Sequence, residues 1–429
     1  MTTVTTPPVY THFRLPGDFR LAVNSNKKMK TVLASVSFVG NLDESVTRLA
    51  LLTMILRRGT KTHPDMQSIS RYLENLYGAT LASFVQKIGE WHLVRFRLEV
   101  VNERFVPGET SLLKGALEFL VELLREPLQV NGGFHPEYLE QEKANLKRSI
   151  ESLVDDKAAY AEHRLLEEMC ATEPYRLHEQ GRVEDIAAID AKSLLELHGA
   201  WALRYPLHVY LTGDIDTSAA RDLVSAVFSA ARPAREGGHV LAGIPSPVPV
   251  TMMREVEEHM DVNQAKLVLG FRHGITYADP RYEALLLMNG ILGGFSHSKL
   301  FQNVREKANL AYSVHSGLER TKGLLLISSG IAPENRGKAL EIILEHVGAL
   351  QKGEISDDEI DATRRTILNS NEMLEDNLGA LGDVDFVWGL HGRPLDLISF
   401  RERILQVTRD EIVEAAACLE HDTTYLLTT

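Results

Sequence analysis

"ALLTMILRRGTK", residues Ala50–Lys61, is an apolar run that closes on two arginines and a Gly-Thr pair. "LLLMNGILGGFS", residues Leu285–Ser296, repeats the build in the other half of the chain: an apolar, helix-like run that breaks at glycine. Neither copy carries a side chain suited to chemistry. Why the chain contains the phrase twice decides the fold.

Outward from the two copies, the flanking segments agree in type and order. An alternating, strand-like segment precedes each: "TVLASVSFVG" (Thr31–Gly40) and "AKLVLGFRHG" (Ala265–Gly274). A second helix closing on a strand follows each: "ISRYLENLYGATLASFV" (Ile69–Val85) and "LFQNVREKANLAYSVHS" (Leu300–Ser316). Then come another strand, "EWHLVRFRLEV" against "KGLLLISSGI", and an amphipathic helix, "LKGALEFLVELL" against "ALEIILEHVGAL". A charged helix follows, "PEYLEQEKANLKRSIES" against "SDDEIDATRRTILNS". Each half ends on an acid-capped helix and a strand, "DAKSLLELHGAW" with "LHVYLTGD" and "TRDEIVEAAACL" with "TTYLLTT". Any α+β domain has strands and helices in some order, but agreement in type, length and order together points to duplication.

The joint reads as Arg232–Pro249, rich in proline and glycine and without helical period. The expectation is therefore an α+β protein of two duplicated domains, residues 1–231 and 250–429, joined by a linker at 232–249. Each domain should be a sheet with helices packed on one face, and the pair should form a clamshell around a shared cleft. A length of 429 residues suits two such domains.

Composition excludes several classes. With 44% hydrophobic and 24% charged residues, the chain is of ordinary globular make. A formal net charge of −13 argues against nucleic-acid or anionic-membrane partners, which reward clustered Lys and Arg. The N-terminal "MTTVTTPPVYTHF" has no basic stretch before an apolar core, and "LALLTMIL" is far shorter than a membrane span, so a cytoplasmic protein is expected. The two cysteines, Cys170 and Cys418, fit a reducing compartment and read as small core residues.

On "RRGTK", "YLEQEKANLKRSI", "LFQNVREKANLAYSV" and the duplicated domain, the chain resembles the insulinase, or pitrilysin, family of metallopeptidases, the inverse zincins. Mitochondrial processing peptidase and the core subunits of respiratory complex III share that family's fold. The resemblance covers nearly the whole chain and implies two metallopeptidase-like domains of the processing-peptidase type.

Active members of the family carry His-x-x-Glu-His ahead of the Gly-Thr. Two imidazoles four residues apart share one helical face and can hold one zinc, while the Glu between them activates the bound water. Aligned on Gly59 and Thr60, these positions fall here on Ala50, Thr53 and Met54. The third ligand, a Glu from the later charged helix, falls at Ser149 beside Arg148. Glu142 remains in that helix, but one carboxylate does not hold zinc. The histidines agree: of 16, no two stand three or four residues apart. No metal and no cofactor are expected in this chain, and no peptidase activity from it alone. Met54, within Leu51, Leu52, Met54 and Ile55, reads as core.

What survives is "REKANLAY", with Arg305 and Tyr312 seven residues apart. The resemblance implies that this Arg pairs with substrate and that this Tyr hydroxyl hydrogen-bonds the polarised carbonyl. The chemistry suits both, a rigid fork of donors and a phenolic oxyanion donor. The segment Ala79, Thr80, Leu81, Ala82 and Ser83 falls where active relatives pair an edge strand with extended peptide, an interaction that needs only main-chain groups.

In two-chain members one subunit supplies zinc and the other the Arg–Tyr pair. This chain looks like the second kind. "DDKAAYAEHRLLEEMCATEPY" and "GRVEDIAAI" carry a closer resemblance to bacterial non-catalytic members that accompany a zinc-bearing homologue. The implied role is a non-catalytic subunit in a heterodimer, with zinc in the partner and a peptide substrate in the cleft. The alternative is a stand-alone peptide-binding or scaffold protein of the same fold. An active peptidase with a displaced metal site is opposed by the histidine spacing.

Two further features read as structural. "GGFSHSKLF" (Gly293–Phe301) lacks the Lys-Ser/Thr of a phosphate loop and reads as a helix break. Glu90 and His92 alternate on a strand and read as a solvated edge.

Overall fold

The structure is a computed structural model that describes residues 9–17, 19–108, 111–229, 241–244, 247–374 and 376–429. The linker expected at 232–249 falls mostly outside these residues. The first half runs β1 (Thr11–Leu15), β2 (Phe19–Ser25), β3 (Thr31–Asn41), α1 (Val46–Ile55), α2 (Met66–Asn75), β4 (Thr80–Ile88), β5 (Trp91–Val101), α3 (Leu112–Arg125), β6 (Gln129–Val130), β7 (Gly133–Phe134) and α4 (Pro136–Glu151). It continues with α5 (Lys157–Met169), α6 (Val183–Ile186), α7 (Ala191–Arg204), β8 (Leu207–Gly213) and α8 (Thr217–Ser229). The second half runs β9 (Arg254–His259), β10 (Ala265–Arg272), α9 (Tyr282–Asn289), β11 (Ala311–Glu319), β12 (Leu324–Ile331), α10 (Arg336–Gln351), α11 (Asp357–Leu374), α12 (Leu378–Leu390), α13 (Leu397–Gln406), α14 (Arg409–Ala417) and β13 (Glu420–Thr428).

Two sheets carry the repeat. The first has the order β1-β2-β8-β3-β5-β4 and the second β11-β12-β10-β13-β9. Read from the opposite edge, the second is β9-β13-β10-β12-β11, which matches β2-β8-β3-β5-β4 strand for strand. Pairing direction matches too. β2 lies parallel to β8 and β9 parallel to β13, while β3–β5, β5–β4, β10–β12 and β12–β11 are antiparallel. Among the described strands of these two sheets, β1 lacks a counterpart. The expected α+β class and the duplicated sheet-and-helix architecture are what the molecule has.

The repeat extends to single hydrogen bonds. Ahead of β4, α2 closes with Ala79 N–H donating to Leu73 O at 3.0 Å, and Gly78 takes a positive φ of 75°. Ahead of β11, Leu310 N–H donates to Val304 O at 3.0 Å, and Asn309 takes a positive φ of 51°. Both are six-residue closures with a left-handed residue just before the closing donor, the geometry that Gly and Asn tolerate.

The helical phrase of the second half differs from a regular α-helix. Gly290–Gly294 and Phe301–Lys307 are wound as π-helix. β11 comes close to the first of them: a Cβ on Gly293 would sit 2.7 Å from Ser316 Oγ and 2.9 Å from its backbone nitrogen. The break expected within Gly293–Phe301 falls between these two wide turns.

By contacts, the chain divides into two compact units. Unit 1 comprises 1–151, 177–242 and 378–385; unit 2 comprises 152–176, 243–377 and 386–429. Each unit thus includes a piece from the other half of the sequence, and strand alternation explains what each piece does. In unit 1, Ala34, Val36, Phe38, Val94, Phe96, Leu98, Val209 and Leu211 belong to the hydrophobic core. The alternate residues Ser35, Ser37, Arg95, Tyr210 and Thr212 point to the other face, yet they are also buried. Leu378–Asp385 answers that face: Asp383 takes both Arg95 and Arg97, the latter at 2.5 Å, and Asp385 accepts from Tyr210 Oη at 2.7 Å. In unit 2, α5 packs on β10 and β13. Ala161, Leu165 and Met169 form an apolar cluster with Val268, Tyr425 and Leu427. Gly270 leaves room for α5, since a Cβ there would meet Met169 Sδ at 2.7 Å.

The segment after α5 is pinned by buried charge. Glu173 accepts from Arg272 at 2.7 Å and from Lys322 at 2.6 Å, and Arg272 also reaches Asp422 at 2.7 Å. Burial alone would raise the Glu173 carboxyl, but Arg272 and Lys322 hold it below the ordinary value. Its stabilising effect is therefore full above the unfolded-state value and fades as pH falls through the lower folded-state value. Glu173→Ala should cost about 3–5 kcal/mol, because it removes the carboxylate that two buried cations share. Denaturant unfolding of the variant at neutral pH, against wild type across the acid range, checks both the loss and its pH sense.

Candidate functional site

The positions that the family resemblance assigns to zinc lie on two helices of unit 1, α1 and α4. Helix α1 packs on both α4 and β4. Ala50 is buried, Thr53 is buried with its hydroxyl donating back to Leu49 O at 2.7 Å, and Met54 is half-buried against the core. Ser149, on α4, donates to Gln180 Oε1 at 3.0 Å. The helix pair is thus present, with a methyl, a self-satisfied hydroxyl, a thioether and a serine where ligands and base would stand. Among the described residues, no three His, Cys, Asp or Glu side chains are grouped so as to hold a metal ion.

Glu142 is buried on α4, with Arg58 Nη1 3.3 Å away. The same guanidinium donates to Gln141 at 2.5 Å and lies over the Tyr138 ring at 4.7 Å. Arg58 of the opening stretch therefore supplies the counter-charge for that carboxylate. Spacing alone carries no signal for this, because Arg58 and Glu142 meet only through the packing of α1 on α4.

Of the expected edge-strand segment, Thr80–Ser83 open β4, and Ala79 immediately precedes it. β4 is the outer strand of its sheet. Ser83 Oγ donates to Thr53 O at 3.4 Å, which ties the edge strand to the vacant-base turn of α1.

Arg305 and Tyr312 belong to unit 2. Arg305 lies in the π-helical segment that packs on β11. Its guanidinium sits 4.6 Å from the Phe301 ring centre, and its Nε is 3.6 Å from Glu306. Tyr312 is on the outer strand β11 and is 85% exposed, the most exposed large apolar side chain among the described residues. Its pairing explains that. Ala311 faces Ile331 and Ser313 faces Gly330, so Tyr312 is an extra residue with no partner on β12, a β-bulge. Bulges bend a strand and redirect a side chain.

His92 requires a correction. It is 1% exposed, and its Nε2 meets Glu179 O at 2.8 Å, so it is not on a solvated edge. Burial lowers its basicity. β5 lies between β3 and β4, and the hairpin turn at Gly89–Glu90 places only Glu90 outside the strand. Cys170 is buried and Cys418 half-buried, and neither is in a disulfide. A cavity of about 290 Å³ lies in unit 1 between the Asn102–Arg104 turn and the start of α8, and no expected site residue lines it.

Over 417 residues the chain is 36% identical to the probable inactive metalloprotease YmfF of Bacillus subtilis, covering 96% of each chain. The chain belongs to the M16, or insulinase, metallopeptidase family. Residues 188–367 match the model described as the peptidase M16 inactive domain. A conserved protein from Enterococcus faecalis superposes with a TM-score of 0.90 at 29% identity, over 98% of each chain. The uncharacterized zinc protease YmxG of Bacillus subtilis is 31% identical over 138 residues, 30% of this chain and 33% of that one. The M16 chain described here is thus similar to a probable inactive metalloprotease over 96% of its length and to an uncharacterized zinc protease over 30% of it. No helix among the described residues is long and apolar enough to cross a membrane.

The donor set at Ala50, Thr53, Met54 and Ser149 predicts that the purified chain, dialysed against metal-free buffer, retains no stoichiometric zinc. Metal analysis giving about one zinc per chain, the ratio for a single site, would overturn this.

Proposed function

We propose that this M16 chain is the non-catalytic subunit of a zinc metallopeptidase. It would act as a heterodimer with a zinc-bearing homologue and contribute Arg305 and Tyr312 in trans to the hydrolysis of peptides. The observation that carries the reading is an asymmetry of loss. Ala50, Thr53, Met54 and Ser149 replace every group that would bind and activate water, whereas Tyr312 stays on a bulged edge strand, 85% exposed. A hydroxyl held in this way, with a guanidinium on the helical segment packed beside it, has the chemistry to bind a polarised carbonyl and its flanking backbone.

In this reading the partner supplies zinc, general base and hydroxide. Tyr312 donates to the carbonyl oxygen as negative charge develops there, so its hydrogen bond strengthens towards the transition state. Arg305 holds the peptide by paired donors and also stabilises the ground state. The open edge of β4, Ala79–Ser83, offers main-chain groups for extended peptide, and that role needs no metal. The complex would work in the cytoplasm.

The test uses this chain mixed with a zinc-bearing homologue from the same genome. Tyr312→Phe keeps the ring and removes the donor, so turnover of the mixture should fall roughly 100-fold or more, the scale for one oxyanion donor. Arg305→Ala should raise KM as well. Both variants should still bind the homologue. Full activity of a mixture carrying both substitutions would reject the role and leave the stand-alone scaffold or peptide-binding reading.

A further inference from the structure

The bulge that exposes Tyr312 also weakens its attachment. Tyr312 has no partner on β12, and β11 is an outer strand, paired on one side only. Just beyond the bulge the register resumes, with Ser313 facing Gly330, Val314 facing Ser329 and His315 facing Ser328. At the last of these pairs a third element intervenes. Glu162 of α5 accepts from Ser328 Oγ at 2.5 Å, and the same carboxylate oxygen is 3.5 Å from His315 Nε2. One carboxylate thus ties the outer strand, the strand beside it and the covering helix together, three residues from Tyr312.

We propose that Glu162 and His315 form a clamp that positions Tyr312 by fixing the bulged start of β11 against β12. The proposal rests on Tyr312 having the role assigned to it above and adds a regulator of it, the protonation of His315. His315 is a positioning residue and not a catalytic one: it acts on Tyr312 through the strand.

The groups around His315 define when the clamp closes. From α5 the facing charge is Glu162, with Asp156 at the start of that helix opposing ionisation of the carboxylate. From β12 the facing group is the neutral Ser328. The helical segment packed on β11 carries Arg305, Glu306 and Lys307, and among the described residues His315 pairs with none of them. The hydrogen bond to Glu162 raises the His315 pKa above its ordinary value, against a smaller opposing effect of burial. Burial would raise Glu162, but His315 and Ser328 hold it below its ordinary value. The clamp is therefore closed between the lowered carboxylate value and the raised imidazole value. It is fully formed below the unfolded-state value of His and is lost as pH rises through the folded-state one. His315 is 58% exposed at its side chain, so its proton exchanges with solvent.

Hydrogen exchange of the intact, isolated chain reads the clamp without substrate or partner. At about pH 6, His315→Gln and Glu162→Gln should each lower protection of the amides from Tyr312 to Gly317, relative to wild type, by roughly three-fold or more, the scale of a partly exposed ion pair. At about pH 9, above the imidazole range, wild type should lose the same protection after correction for intrinsic rates. His315→Lys, charged at both values, should keep it. Amides of β10 and β13 should not change. Wild-type protection of β11 that is equal at both pH values, or a loss spread evenly over the whole sheet, would overturn the clamp. In the mixed peptidase assay, His315→Gln should lower turnover at pH 6 and add nothing to Tyr312→Phe. A Tyr312→Phe variant of full activity would reject the subunit reading itself, while the exchange data still decide the clamp.

Discussion

A sheet strand has two faces, and the helices of one half-chain pack on only one. In unit 1 the far face bears Ser37, Arg95 and Tyr210, which are buried there. A guanidinium 3% exposed needs a carboxylate and further acceptors, or its desolvation is not offset. Asp383 and Ser37 meet that need for Arg95, and Asp385 accepts from the Tyr210 hydroxyl on the same face. The corresponding face of unit 2 is largely apolar where α5 crosses it, and its buried charges, Arg272 and Lys322, are answered by Glu173 and Asp422. The two covers solve one geometrical problem with different chemistry, and both come from the half of the sequence that does not build the sheet they cover.

This arrangement links fold to site. The segment that begins with α5 brings Glu162 to β11 and Glu173 to Arg272. The same piece of chain that buries the apolar face of unit 2 thus also ties down the strand bearing Tyr312. In unit 1 the packing of α1 on α4 and β4 persists although the groups that would hold a metal have gone. Buried aliphatic contacts around Leu49, Leu51 and Leu52 suffice for that packing, and Arg58 satisfies the one carboxylate that remains. Losing ligands costs a helix pair little when its stability comes from apolar burial, which is why a vacant site and an intact fold coexist.

Much of the fold was legible because periodicity is a local property. Alternation in Thr31–Gly40 and Ala265–Gly274, and three- and four-residue spacing in Leu113–Leu124, follow from which face each side chain must bury. Repetition of those patterns in one order revealed two copies of one sheet. His92 misled because alternation says which residues share a face and not whether that face is covered. Its environment comes from the loop at Glu179, far along the chain. The close approach of Ser316 to Gly293 was hidden for a related reason: no local propensity encodes that distance.

By itself the sequence determined the duplicated α+β architecture, and it sets Ala50, Thr53, Met54 and Ser149, and the pair Arg305 and Tyr312, at the positions to which the family resemblance points. Each of these depends on residue type and spacing along the chain. The tertiary structure alone decided that Tyr312 is the unpaired residue of a bulge, that Arg58 meets Glu142, and that helices cross over to cover the opposite sheets. These depend on contacts between residues some eighty to three hundred positions apart, such as Arg58 with Gln141 and Arg95 with Asp383, or on a register shift of one residue. Such contacts are set by the packing of whole elements, and a pattern read over a dozen residues does not contain them.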